Sequence, residues 1–274
     1  MQVIERAVSM KKYADDQRKK GRSIGFVSTM GYLDKSHVAL INRSKRENDI
    51  TIISIFVNIA QFQTTEEYKK YPRDFEHDYK ISEEAGADAM FFPETGDIFN
   101  GESCVFIDIE GSFAGMRSRG LATAFVKMVQ IIKPDRFYLS QKNIREVTVA
   151  QRIISELYMD TMVISCPIER EDDGLAISYK NSLLTLEERE QAPILNMALE
   201  YAKMEITHGE RNASHLKRLI AAYLSDSPLV KVDYVTIISY DTFKEPLQMK
   251  GKTLIEIGVS FPSVQLDDNL VTIV

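Results

Sequence analysis

The segment Ile50-Thr51-Ile52-Ile53-Ser54-Ile55-Phe56-Val57 constrains the fold more than any other part of the chain. It is apolar at nearly every position and lacks the in–out alternation of a strand with one face in water. A strand of that kind is covered on both faces, which places it inside a parallel sheet flanked by helices. Its neighbours agree. Residues 24–27 form a short apolar strand, and residues 35–47 an amphipathic helix with Val38, Leu40 and Ile41 on one face. Residues 89–92, 136–139 and 161–166 read as further core strands, with another at 104–109. A helix opened by Tyr71-Pro72-Arg73-Asp74 runs to Ala85, and others cover 121–132 and 145–157. Residues 1–20 read as one helix, with Val3, Ala7, Met10 and Ala14 spaced for one face. This alternation predicts a doubly wound α/β sheet. From Thr185 the order changes to helices at 186–204 and 214–224, then strands at 232–239, 253–259 and near the C-terminus. The expected domains are therefore 1–181, carrying the site, and a small α+β domain over 182–274.

Composition narrows the function classes. A net charge of −6 over 274 residues gives no reason to expect nucleic acid as a partner. The basic run Arg18-Lys19-Lys20 fits a helix C-terminus, where cations are favoured. No window reaches the ~18 apolar residues of a membrane span, and the N-terminus lacks an apolar stretch bounded by basic residues. Cys104 and Cys166 are far apart, without metal-type spacing, and read as reduced thiols of a cytoplasmic protein.

The candidate site lies where strands end. In Gly25-Phe26-Val27-Ser28-Thr29-Met30-Gly31-Tyr32-Leu33-Asp34-Lys35-Ser36-His37, a strand passes through a glycine turn into a helix. Open parallel sheets bind ligands outside the carboxyl ends of their strands, where a helix N-terminus offers N–H groups to an anion. Asn58 and Gln61 follow the strand at 50–57, Lys142, Asn143 and Glu146 follow the strand at 136–139, and Ile177-Ser178-Tyr179-Lys180 lies in a later loop. Taken singly, His37 is a polar residue in a helix's first turn. Asn58 and Gln61 close turns, Lys142 is a surface charge, and residues 178–180 are a solvated linker. Their shared position at one rim points instead to a site.

The strand–turn–helix over residues 25–37 resembles the signature of the nucleotidyl-transferase superfamily. That signature continues into His-x-Gly-His, of which Asp34-Lys35-Ser36-His37 keeps the second His. Over essentially the whole chain, the segments Ser54-Ile55-Phe56-Val57-Asn58 with Gln61-Phe62, Tyr71-Pro72-Arg73-Asp74, Glu84-Ala85-Gly86-Ala87-Asp88, Lys133-Pro134-Asp135-Arg136, Arg170-Glu171 with Asp173-Gly174-Leu175-Ala176, and Asp233-Tyr234-Val235 resemble the pantothenate synthetase (pantoate–β-alanine ligase) family.

That resemblance implies a Rossmann-like N-terminal domain, a small C-terminal lid and a homodimer using ATP and Mg²⁺. The acid attacks the α-phosphate to form an acyl adenylate, and an amine then displaces AMP. By resemblance, Met30 and Gly31 line the ATP cleft. His37 and Lys142 contact phosphates, Gln61 holds the acid's hydroxyl and carboxylate, and Ser178 caps the phosphates. Asn143, Ile177, Tyr179 and Lys180 complete the ATP contacts, and Asn58 and Glu146 the acid's. The departures concentrate at this rim. Asp34 replaces the first His of the motif, Ser36 its Gly and Ser28 a Pro. Asn143 replaces an Asp, Glu146 the second acid-binding Gln, and Tyr179-Lys180 a Ser-Arg. Ile59 and Gln63 replace a Pro and a Gly, and Arg117-Ser118-Arg119-Gly120 is a shortened loop. Asp34 either repels the triphosphate, is bridged to it by Mg²⁺, or turns back to cap its helix. Three readings stay open: a pantoate–β-alanine ligase, a paralogue with a changed acid or amine, and a non-catalytic nucleotide- or metabolite-binding protein.

Overall fold

The structure, a computed structural model, describes residues 1–62, 64–99, 105–109 and 118–274. It divides into two compact units, Met1–Pro167 and Ile168–Val274, whereas the sequence suggests a join near Asn181.

In the first unit, six parallel strands are seen among the described residues: β1 (Gln2–Ile4), β2 (Ile24–Thr29), β3 (Ile50–Ile55), β4 (Ala89–Phe91), β5 (Arg136–Ser140) and β6 (Met162–Cys166). Their order is β1-β4-β3-β2-β5-β6, so the winding reverses between β2 and β5. A reversal of this kind opens a crevice above the strand ends, because the flanking helices depart to opposite faces. The helices are α1 (Ala7–Lys19), α2 (Lys35–Glu47), α3 (Thr65–Lys70), α4 (Phe75–Glu84), α5 (Thr95–Ile98), α6 (Ser118–Ile132) and α7 (Ile144–Glu156). Every residue of β3 is buried, as its unbroken apolar run requires. Phe26 of β2 stacks on Phe137 of β5 with ring centroids 5.0 Å apart, and Phe125 of α6 meets Phe137 edge-on at 5.3 Å. Contacts of this kind add about 0.5–1.5 kcal/mol each beyond the area they bury.

Three local readings are corrected. Residues 1–20 are not one helix: Val3 and Ile4 pair with Met90 and Phe91 as an edge strand, and the helix begins at Ala7. The apolar spacing that extended the helix back to Val3 came from a strand residue that happened to fall in phase. Residues 105–109 form no strand, and the N–H of Ile107 donates to Thr123 Oγ1 on α6 (2.9 Å). Arg18 is more than a solvated helix end, since its guanidinium donates to the carbonyls of Ile132 (2.5 Å) and Lys133 (3.1 Å), closing the C-terminus of α6. Gln63, Cys104 and residues 111–117 of the glycine- and arginine-containing loop lie outside the described residues.

The second unit contains α8 (Leu186–Gln191), α9 (Ile194–Thr207), α10 (Ala213–Ser225) and an antiparallel sheet of β7 (Lys231–Ser239), β8 (Lys252–Ser260) and β9 (Gln265–Ile273). The helix expected over 186–204 is broken at Pro193, which has no N–H to continue the ladder from α8. Leu195, Leu199, Leu216, Ile220, Ile255 and Ile257 form the unit's own core. No helix among the described residues is long and apolar enough to cross a membrane.

Candidate active site

The site begins at the turn after β2. Gly31 (φ +87°) and Tyr32 (φ +52°) are both left-handed, which bends the chain sharply between strand and helix. A Cβ on Gly31 would lie 2.7 Å from Asp78 Oδ2 and 3.0 Å from Ile55 Cγ2, so the close approach requires glycine as much as the dihedral does. Asp78, on α4 and only 2 % exposed, accepts hydrogen bonds from the N–H groups of Tyr32 (2.9 Å) and Leu33 (2.7 Å). Burial pushes its carboxyl above the ordinary range, with the two N–H bonds opposing. His77 Nε2 lies 2.9 Å from the Leu33 carbonyl oxygen and Tyr71 Oη donates to the Gly31 carbonyl (3.4 Å). The turn is thus clamped from α4 and by Tyr71 at the end of α3.

Asp34 follows as the N-cap of α2. Its carboxylate accepts from the N–H of Ser36 (2.9 Å) and lies 2.8 Å from His37 Nδ1, while Nδ1 lies 3.1 Å from the Asp34 N–H. This reciprocal arrangement is a capping box in which His37 takes the place usually held by Glu or Gln. Burial alone would raise the Asp34 carboxyl, but the bonds from His37 and Ser36 outweigh it and hold the group at about 2. Of the three fates open to Asp34, capping is the one observed.

The ends of β3 and β5 supply the opposite wall. Asn58, 1 % exposed, accepts from the Ala60 N–H (3.1 Å) and donates to the Gly120 carbonyl (3.2 Å), fixing the short turn Ile59–Gln61 against α6. A Cβ on Gly120 would come within 2.1 Å of the Ala60 Cβ, so glycine is needed there for the turn and helix to touch. After β5, Ser140 Oγ accepts from the Lys142 N–H (3.2 Å), shaping the turn Gln141–Asn143 that leads into α7.

One cleft results. Among the sequence-predicted residues, Met30, His37, Asn58, Gln61, Asn143 and Glu146 line it together. It sits above the carboxyl ends of β2, β3 and β5, at the reversal of the winding. Gly31, Asp34 and Lys142 are not among its lining residues: Gly31 and Asp34 shape the turn and helix that carry Met30 and His37, and Lys142 precedes Asn143 in the β5–α7 turn. Sequence reasoning missed Thr29, Tyr71 and the apolar wall of Phe56, Phe125 and Met128. Tyr71 carried a signal, since it opens the quoted Tyr71-Pro72-Arg73-Asp74. The wall carried none, because a side chain bordering a cleft has the same helical spacing as one in the core. Burial raises the Glu146 carboxyl to about 7, and among the described residues neither a hydrogen bond nor an ion pair offsets that.

Ile177, Ser178, Tyr179 and Lys180 belong to the second unit. There Ser178 Oγ accepts from the Lys180 N–H (3.3 Å) at the start of the turn Tyr179–Leu183, and Lys180 Nζ lies 3.6 Å from Asp267. Among the described residues no three of His, Cys, Asp or Glu converge as a metal cage.

Residues 2–271 match the family model described as pantoate-beta-alanine ligase. The chain is 37% identical to the pantothenate synthetase of Caldicellulosiruptor saccharolyticus, with 99% of both chains covered. Among solved structures, the pantoate-beta-alanine ligase (pantothenate synthetase) of Thermus thermophilus is similar at a TM-score of 0.90 and 29% identity, with 98% of this chain and 99% of that one covered. The pantoate-beta-alanine ligase of Francisella tularensis, solved in complex with beta-gamma ATP and beta-alanine, is similar at a TM-score of 0.76 and 26% identity, covering 99% and 97% of the two chains.

Proposed function

The chain belongs to the pantoate–β-alanine ligase family, and from that premise we propose that it joins pantoate to β-alanine at the expense of ATP, releasing AMP and pyrophosphate. The observation that carries this reading is the convergence of Met30, His37, Asn58, Gln61, Asn143 and Glu146 in one cleft at the strand ends. A carboxylate oxygen of pantoate attacks the α-phosphorus and pyrophosphate leaves, giving an acyl adenylate. The amine of β-alanine then attacks the acyl carbon, and AMP leaves with the bonding electrons while the nitrogen gives up its proton.

This chemistry asks for donors around the phosphates, for orientation of the acid, and for a site that keeps water from the adenylate. His37, held at Nδ1 by Asp34, leaves Nε2 for a phosphate oxygen. The amide of Gln61 offers both a donor and an acceptor to the acid's hydroxyl and carboxylate. The apolar wall of Phe56, Phe125 and Met128 restricts water. Lys142 supplies a cation from the adjoining turn, and Ile177, Ser178, Tyr179 and Lys180 are assigned to ATP on the resemblance of their loop. Mg²⁺, brought in with ATP, would supply further positive charge at the phosphates beside His37 and Lys142. On the family resemblance the chain is assigned a homodimeric state and a cytoplasmic location as part of this reading.

The test is product formation by the full chain. With D-pantoate, β-alanine and MgATP, AMP and pantothenate should appear in equal amounts, and Gln61→Ala should raise KM for pantoate. ATP consumption yielding ADP, or no AMP under any combination, would remove the assignment.

A further inference from the structure

Glu146 is the single carboxyl group lining the cleft among the described residues. It stands in the first turn of α7, partly accessible at the cleft surface yet ringed by protein. The other titratable lining groups are His37, from the first turn of α2, and Tyr71, after α3; the facing side of α6 presents Ala124, Phe125 and Met128. Lys142 and Arg145 flank it along the chain, and neither makes a hydrogen bond or ion pair with it. The N-terminal turn of a helix favours negative charge by about 0.3–1 kcal/mol. An unpaired carboxylate facing apolar surface loses several times that in hydration. Burial therefore wins, in accord with a carboxyl raised to about 7.

Ligand binding sharpens this balance. Both substrates proposed for the first step are anions, and each brings negative charge toward a carboxyl that, among the described residues, makes no ion pair. Either the acid binds weakly against an ionised Glu146, or Glu146 takes up a proton and becomes a donor. A neutral carboxyl has one O–H to give and one oxygen to receive, the same pairing that the amide of Gln61 offers in the same cleft.

We propose that Glu146 is a specificity-determining residue that binds the acid substrate as a neutral carboxyl, donating a hydrogen bond to it, so that acid binding takes up a proton. The inference rests on the ligase reading, since it requires an anionic acid in this cleft. It distinguishes a hydroxy acid, which accepts from the neutral carboxyl, from a cationic amine, which pairs with the ionised one. Acid affinity then falls about tenfold per pH unit once the carboxyl ionises in the free protein.

The experiment is calorimetric titration of the full chain with D-pantoate at pH 8 in two buffers of different ionisation enthalpy. The expected result is uptake approaching one proton per acid bound. Glu146→Gln should bind pantoate with no proton uptake and with an affinity that no longer falls between pH 7 and pH 9. Pantoate binding without proton uptake in the parent chain would overturn the role of Glu146 while leaving the ligase reading intact. The same proton uptake in Glu146→Gln would assign it to another group and equally overturn the proposal. No pantoate binding at any pH from 5 to 9 would overturn both. Should the variant prove unstable, Glu146→Ala, which must also abolish proton uptake, decides the matter.

Discussion

Asp34 Oδ1 lies 2.8 Å from His37 Nδ1 within the first turn of α2, so the carboxylate that replaces a histidine of the family motif serves the helix and its surviving histidine. The like-charge repulsion considered for Asp34 and the triphosphate assumes a carboxylate aimed into the cleft. The observed one turns its Oδ1 back to Ser36 and His37. Asp34→His should therefore fail to tighten ATP binding and should lower stability by about 1–2 kcal/mol through loss of the cap. Calorimetry with ATP and denaturant unfolding read the two effects. ATP binding more than twofold tighter with unchanged stability would restore the repulsion argument.

The same pair sets an acid limit. Asp34 titrates at about 2 in the fold against an ordinary 3.8, so its contribution is complete above about pH 4 and is lost as pH falls toward 2. The shift corresponds to about 2 kcal/mol. Asn at this position keeps an acceptor for the cap without the charge, so Asp34→Asn should flatten that part of the profile. Urea midpoints between pH 2 and pH 5 for the two proteins check it, and parallel curves would contradict it.

Glu146 has the opposite sign. A carboxyl raised from 4.5 to about 7 in the fold binds its proton more tightly folded than unfolded, so stability falls as pH rises from about 4.5 to 7. Glu146→Gln removes that loss and should gain about 3 kcal/mol at pH 8 and little at pH 4.5. A variant equally stable or less stable than the parent at pH 8 would show that the carboxyl ionises there at no cost.

Asp78 tests whether the turn before α2 must be clamped. Its two acceptor bonds to Tyr32 and Leu33 have no replacement in an amide, which has one acceptor oxygen and would set its own N–H against the other donor. Asp78→Asn should cost about 1–3 kcal/mol. Through Met30 and His37 it should also raise KM for ATP more than it changes KM for pantoate. Equal changes in the two KM values would make Asp78 a purely structural residue.

Much of this architecture was legible because burial leaves a direct trace in composition. The unbroken apolar run at β3 announces a covered parallel strand, and Pro72, Gly86 and Gly31 mark boundaries where the backbone needs them. What escaped was set by partners distant in sequence. Val3 looked helical because only its pairing with Met90 makes it a strand. At the site, Gln61, His37 and Glu146 were readable from their place after strands, whereas Phe125 and Met128 were not, since nothing in a helix's own sequence says which residues border a cleft. The fate of Asp34 was undecided for a similar reason: capping and phosphate contact use the same oxygen, and only geometry shows which N–H groups reach it.

The proposed function stands or falls on activation of pantoate by ATP in this cleft. Pyrophosphate exchange into ATP, measured with the full chain, Mg²⁺ and a panel of hydroxy acids in the absence of amine, tests that step alone. The prediction is exchange that depends on D-pantoate and is lowered by roughly 10²-fold or more in Lys142→Ala, as for loss of a charge that stabilises the transferring phosphate. Exchange supported only by another acid, or by none of them, would contradict it.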